Sequence, residues 1–155
     1  MGDEHRFREI FVPDSGALLD IFAFDVTDHH WQSLLSFLST NYELKYLEDG
    51  LVQPLPELTE IWQRADQKAL TLQVILPGFT ANAFFFCRDQ IELDVFPEDV
   101  TSAEKANAVF KLMKGLARTL DKEVFMVPES GDVSNEELRK MAICSCDPSS
   151  LEIRM

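Results

Sequence analysis

The sequence predicts an α+β fold: an antiparallel or mixed β-sheet with two main helices packed on one face, in a single domain over residues 1–155. Three observations predict it. Residues 69–96 hold strand-like alternations punctuated by Pro77-Gly78, so hairpins dominate the middle of the chain. Two long amphipathic stripes place helices before and after that region. The order of elements lacks the strict strand–helix alternation of a doubly wound parallel sheet. At 155 residues the chain suits one domain, burying about two-thirds of its unfolded surface. Its 46% apolar and 10% aromatic content is that of a core-building sequence.

Taken in order, residues 17–26 are rich in apolar side chains but short for a helix, and Ile21, Phe22, Phe24 and Val26 predict a largely buried strand. Thr27 and Asp28 offer N-caps to a helix whose Trp31, Leu34, Leu35 and Leu38 form an i, i+3, i+4, i+7 stripe ending near Asn41. A strand over 42–47 closes at the turn signal Asp49-Gly50. Pro54 and Pro56 break regular structure, and 51–68 supports only a short helix over 57–65. Residues 69–76 alternate, Pro77-Gly78 supplies the backbone angles of a type II turn, 81–87 returns antiparallel, and 91–96 makes a third strand that Pro97 ends. Thr101 with Glu104 reads as a capping box. It opens a helix of about five turns with the stripe Ala106, Val109, Phe110, Met113, Leu116 and Leu120. A short strand over 124–127 follows. Ser134 with Glu137 is a second capping box for a brief helix, and 141–146 and 151–153 are the last strands, at an edge.

The 27 acids against 14 bases leave a charge of −13 and a pI near 4.5. Such a chain repels nucleic-acid phosphates and anionic membranes and attracts basic partners. The excess is concentrated early: residues 1–60 hold 12 acids and 3 bases, whereas 101–155 hold 9 and 8. The opening Met1-Gly2-Asp3-Glu4-His5-Arg6 has no basic stretch before a long apolar run, so no secretory signal is expected, and Arg6 stands where myristoylation requires Ser or Thr. No apolar run approaches the ~20 residues that span a bilayer. Three cysteines do not make a disulfide framework. The expectation is a cytoplasmic protein, without nucleic-acid or membrane partners, acting as a monomer or weak homodimer.

Candidate chemistry is sparse. His29 and His30 are adjacent at a helix start and point apart, which favours a cap over a metal pair. Cys144 and Cys146 share a strand face but lack the further ligands of a zinc site and the two-residue spacer of a redox motif, and Cys87 reads as an ordinary thiol. No glycine-rich phosphate loop or activated nucleophile is present. The expectation is therefore a binding protein with no catalytic residue, cofactor or metal. Lys111, Lys114, Arg118 and Lys122 read as the solvated face of the second helix, placed well for its dipole.

The outward face of the central hairpins is more informative. If Leu72, Val74, Ile91, Leu93 and Val95 face the helices, the other face receives Glu92, Asp94 and Phe96. Phe84 and Phe86 share one face of the returning strand and Phe85 takes the other; register decides which points inward, and sequence leaves that open. In the favoured register Phe84, Phe86 and Phe96 lie among Glu92 and Asp94, with Glu98 and Asp99 completing the candidate partner-binding set. Aromatics ringed by acids resemble the anatomy of a patch for a cationic protein. The alternative is a second layer, such as 51–68, lying over those rings.

Residues 70–129 carry a family resemblance. The run Ala83-Phe84-Phe85-Phe86, then Gln90 to Val100 with its apolar–acid alternation, then a capped helix and Lys122-Glu123-Val124-Phe125-Met126-Val127-Pro128-Glu129 resemble small acidic bacterial immunity proteins encoded beside secreted antibacterial toxins. The chain departs from that pattern at Phe96-Pro97, where Asp-Pro is the family's form. The resemblance implies neutralisation of a cognate, basic toxin by direct contact, and it carries over no catalytic residue. The rival class is an acidic secretion chaperone that wraps an extended effector segment as a dimer. A third, a small enzyme, requires a pocket converging on His29 or His30.

Overall fold

A computed structural model describes residues 7–12, 18–128 and 134–155. Nine strands form one sheet: β1 (Leu19–Phe24), β2 (Glu43–Glu48), β3 (Leu51–Gln53), β4 (Leu70–Leu76), β5 (Phe79–Cys87), β6 (Gln90–Val95), β7 (Val124–Pro128), β8 (Cys144–Cys146) and β9 (Ile153–Arg154). Their spatial order is β3-β2-β4-β5-β6-β1-β7-β8-β9, and every pairing is antiparallel, which resolves the antiparallel-or-mixed expectation. The first strand lies inside the sheet between β6 and β7. That position explains its composition: Leu19-Asp20-Ile21-Phe22-Ala23-Phe24 is buried on both faces at all but Asp20.

Turn chemistry sets the hairpins. Asp49 and Gly50 both have positive φ (49° and 81°), the requirement of the two-residue hairpin joining β2 to β3. Gly78, at φ 84°, takes the permissive position of the Pro77-Gly78 turn between β4 and β5. The unreadable stretch 51–68 divides into β3, the extended Pro54-Leu55-Pro56 segment, and α2 (Leu58–Ala65), close to the expected 57–65.

One face of the sheet is covered by α1 (Asp28–Asn41), α2 and α3 (Ala103–Leu120), which bury the main core. The expected stripes all turn inward: Trp31, Leu34, Leu35 and Leu38 from α1, and Val109, Phe110, Met113, Leu116 and Leu120 from α3. Trp31 is wedged against Phe85 and Trp62, with centroids 5.3 and 5.1 Å away, and its Nε1–H donates to the Arg88 carbonyl at 2.8 Å. Arg88 in turn lies over the Trp62 ring and pairs with Asp28 at 2.9 Å, so the β5–β6 turn is tied to the start of α1. Among the described residues Trp62 Nε1 is buried without a hydrogen-bond partner.

The caps differ in detail from the sequence reading. The N-cap of α3 is Ser102, whose Oγ accepts from Lys105 N–H at 3.2 Å, while Thr101 Oγ1 receives Lys105 Nζ; the box set at Thr101 and Glu104 is displaced by one residue. Ser134 caps α4 (Asn135–Met141) as read, accepting from Glu137 N–H at 3.2 Å. At α1 the Thr27 N–H donates to His30 Nδ1 at 2.9 Å. This bond needs a neutral imidazole, and burial, with Lys122 and His29 behind it, holds the His30 pKa below its ordinary value.

The two main helices share one face, as expected, but a helix also packs on the other. Leu138 of α4 closes a second small core with Phe22, Phe24 and Val127 over β1 and β7. Arg139 of that helix lies over the rings of Phe24 and Phe125, at 4.9 and 5.9 Å. Met141, expected to start a strand, ends α4 instead, and only Cys144–Cys146 and Ile153–Arg154 extend the sheet edge.

At the opposite sheet margin a buried carboxylate joins β2 to α2. Glu48 accepts from Tyr46 Oη at 2.8 Å, from Lys68 Nζ at 3.2 Å and from Arg64. The hydrogen bond from Arg64 leads the causes that pull the Glu48 pKa down to about 2, against its burial. A depressed carboxylate pKa gives stability that is present above the unfolded value near 4.5 and lost as pH falls through 2. Glu48→Gln is therefore expected to lower the urea midpoint at pH 7, with its deficit against the wild-type chain shrinking between pH 4.5 and 2. A deficit that stays constant over that window would show that ionised Glu48 is not what holds the margin.

Candidate functional site

The candidate site is built on the outer faces of β4, β5 and β6. Along β5 the inward positions are Ala81, Ala83 and Phe85; the two alanines let the helices approach, and Phe85 stacks on Trp31 and meets Trp62 edge-on. Because strand side chains alternate, Phe84 and Phe86 are sent to the other face. There the two rings stack on each other, centroids 4.9 Å apart and 7° from parallel. Phe84 pairs with Glu92 and Cys87 with Gln90, so β5 carries one extra residue between those pairs. This bulge leaves Phe86 69% exposed.

The register places acids beside the rings. Glu92 of β6 stands opposite Phe84 on one side and Phe22 of β1 on the other. Burial against those neighbours raises its pKa, and Asp94 raises it further. Asp94 is itself buried, accepts from Asn82 Nδ2 at 3.1 Å, and faces Asp20 across the β1–β6 ladder. Three carboxylates from adjacent strands thus share one outer face next to two stacked phenyl rings.

The structure brings together some of the candidate residues and not others. Phe84, Phe86 and Glu92 are neighbours, with Asp94 one step along β6. Phe96 is 42% exposed, but it follows Val95 at the end of β6 remote from Phe86. Glu98 and Asp99 lie beyond it in the 3₁₀ turn Pro97–Asp99. A strand rises about 3.3 Å per residue, so Phe96 stands on the order of 20 Å from Phe86 and belongs to a separate surface. The second layer considered for 51–68 is not over the rings: Leu58, Ile61 and Trp62 of α2 enter the main core on the helix side.

Sequence reading missed the extension of the site toward β3. The row Val52–Leu47–Thr71–Phe84–Glu92–Phe22 runs across six strands on the outer face, and Val52 is 65% exposed. The alternation of Leu47 with the buried Tyr46 was a usable signal; the strand order that aligns it with Phe84 was not available from pattern.

The other groups singled out in the sequence take structural places. His30 caps α1. Cys144 and Cys146 are free and buried, and burial drives the Cys144 thiol up to about 12, which suppresses the thiolate. Cys87 is free and exposed beside the phenyl pair. Among the described residues there is no group of three or more His, Cys, Asp or Glu able to hold a metal ion, and no helix long and apolar enough to cross a membrane.

Fold and site together define an antiparallel α+β protein in which, among the described residues, helices cover one face of the sheet and α4 covers part of the other. In comparison with known proteins, the chain matches no family model, no curated protein and no solved structure.

Two outcomes follow for stability. Phe85→Ala should cost about 3–5 kcal/mol, whereas the neighbouring Phe86→Ala should cost under about 1 kcal/mol; equal losses in urea denaturation would contradict the register. Glu92 has a raised pKa, so its ionised form opposes folding once pH exceeds the unfolded value. Glu92→Gln is expected to raise the urea midpoint at pH 7, and a lowered midpoint would show that the carboxylate is satisfied where it stands.

Proposed function

We propose that the chain is an immunity-type binding protein, which neutralises a cognate basic toxin by docking it on the outer face of β4–β6. The observation that carries this reading is the stacked Phe84–Phe86 pair, open to solvent on Phe86 and flanked by Glu92. Exposed aromatics of this kind serve as anchors in protein interfaces, where most binding energy sits in a few large side chains. The surrounding carboxylates and the charge of −13 would steer a cationic partner toward the anchor, and Glu92 gains a counter-charge on docking. The resemblance of residues 70–129 to acidic immunity proteins supports the same reading. Phe96, Glu98 and Asp99 lie on a separate surface and are not part of this docking face.

A secretion chaperone remains the second reading because of one feature. Among the described residues β3 is an edge strand, and it exposes Leu51 and Val52, each at 65%. Such an edge can accept an extended segment as an added strand.

The test is titration of the purified chain with the product of the neighbouring toxin gene. The binding reading predicts a one-to-one complex and rescue of cells from that product. Phe86→Ala and Glu92→Lys should each weaken the complex by at least about tenfold, and added salt should slow association. No complex and no rescue, or affinities unchanged in both variants, would end it. A chaperone would instead run as a dimer in light scattering and lose its cargo on Val52→Lys.

A further inference from the structure

The helix side of the molecule carries a feature that the docking reading does not use. After Asp28 the helix α1 has no acid, and after Glu104 α3 has none, so two acid-poor surfaces face solvent side by side in a chain of charge −13. Between them opens a cavity of about 330 Å³. Phe37 of α1 and Tyr42 at its C-terminal end line one side, meeting edge to face with centroids 6.0 Å apart. Lys111, Lys114 and Arg118, at i, i+3 and i+7 of α3, line the other. Gly115 is what admits the ring: a Cβ there would overlap Phe37, so any side chain would push the phenyl group out of its seat. Asn41 and Phe37 also border an adjoining, shallower cavity of about 610 Å³, whose remaining wall carries the hydroxyls of Ser33, Ser36, Thr40 and Thr119. Among the described residues neither cavity is lined by an acid.

The cations are the telling part. Among the described residues Lys111, Lys114 and Arg118 form no salt bridge, a property they share with Arg8, Lys45, Lys105 and Lys122, but these three stand together on one cavity wall. In a chain with almost twice as many acids as bases, three neighbouring cations without a carboxylate partner leave an uncompensated positive spot. A solvated stripe accounts for Lys111 and Arg118, which are exposed, but it does not account for an aromatic wall and a cavity beside them. The volume is at the lower end of small-molecule sites, about 300–1,000 Å³. Ammonium and guanidinium groups on one wall suit a phosphate, rings on another suit a flat base, and hydroxyls alongside suit a sugar.

We propose that this groove between α1 and α3 binds a nucleoside monophosphate or a closely similar organic phosphate. The phosphate is held by Lys111, Lys114 and Arg118, the base rests against Phe37 and Tyr42, and the sugar lies toward Ser36 and Thr40. The site is on the opposite side of the sheet from Phe86, so it stands or falls separately from the docking face.

The experiment is an NMR titration of the full chain with the four ribonucleoside monophosphates, adenosine, inorganic phosphate, a single-stranded oligonucleotide and vesicles containing anionic lipid. At least one monophosphate should bind with Kd below about 1 mM, shifting amides within 37–42 and 111–118, with adenosine and inorganic phosphate weaker by about tenfold or more. The double variant Lys111→Gln, Arg118→Gln, at exposed positions that the core does not need, should lose about tenfold in affinity with an unchanged folded spectrum. Ser36→Ala, which spares every charge, should weaken the monophosphate and leave inorganic phosphate unaffected. The proposal is overturned by the absence of shifts at roughly 10 mM ligand, by equal affinity in the double variant, or by binding confined to the oligonucleotide or the vesicles.

Discussion

Phe85 lies between Trp31 and Trp62 on the helix side of the sheet, with centroid separations of 5.3 and 5.9 Å, and that anchorage decides the character of the opposite face. A strand has a side-chain period of two, so fixing Phe85 inward fixes Phe84 and Phe86 outward; a slip of one residue would exchange them. Several contacts guard against the slip. Trp31 donates to the Arg88 carbonyl, Arg88 pairs with Asp28, and both bind the β5–β6 turn to α1. The inward positions that precede it along β5, Ala81 and Ala83, are small and let the helices approach.

The sheet then divides its outer face by what covers it. Over β1 and β7 the short helix α4 seals Phe22, Phe24 and Val127 with Leu138. Over β4, β5 and β6 no comparable apolar cluster closes among the described residues, and Phe86 of the Phe84–Phe86 stack is exposed with Glu92 half-buried nearby. Keeping a carboxylate against phenyl rings costs the free protein stability, as the raised Glu92 pKa records. In the groove between α1 and α3, on the helix side, the lining is instead hydroxyls from α1 and cations from α3.

Most of the fold was legible because its signals are local. The 3.6-residue stripes of α1 and α3, the alternation of β4 and β6, and the Asp49-Gly50 and Pro77-Gly78 turns each declare themselves within a few residues. What was not legible is long-range. Nothing in Leu19–Phe24 announces that it inserts between β6 and β7, and without that placement Asp20 and Phe22 cannot be assigned to the candidate face. The same holds for Val52 and Leu47, which reach the face only through the pairing of β2 with β4. Phe96 was grouped with Phe84 and Phe86 by sharing a sheet face, but distance along the strand separates them. The Thr101 cap failed by one residue because Ser102 is an equally good cap, and only the backbone geometry selects between them. The basic row of α3 was read as solvated surface because Phe37 and Tyr42 lie some 70 residues away in sequence and reach it only through helix packing.

Cys87 offers the most direct test of where a partner docks. It is the one exposed thiol of the three, two residues from the bulged Phe85 and beside Phe86, and its ionisation is already restrained by burial and by Asp89 and Glu92. Alkylation of Cys87 should be followed in the free chain and in its complex with the proposed toxin partner. Docking on the outer face of β4–β6 predicts that the complex slows the reaction by an order of magnitude or more. An unchanged rate in a saturated complex would place the partner elsewhere and contradict the account.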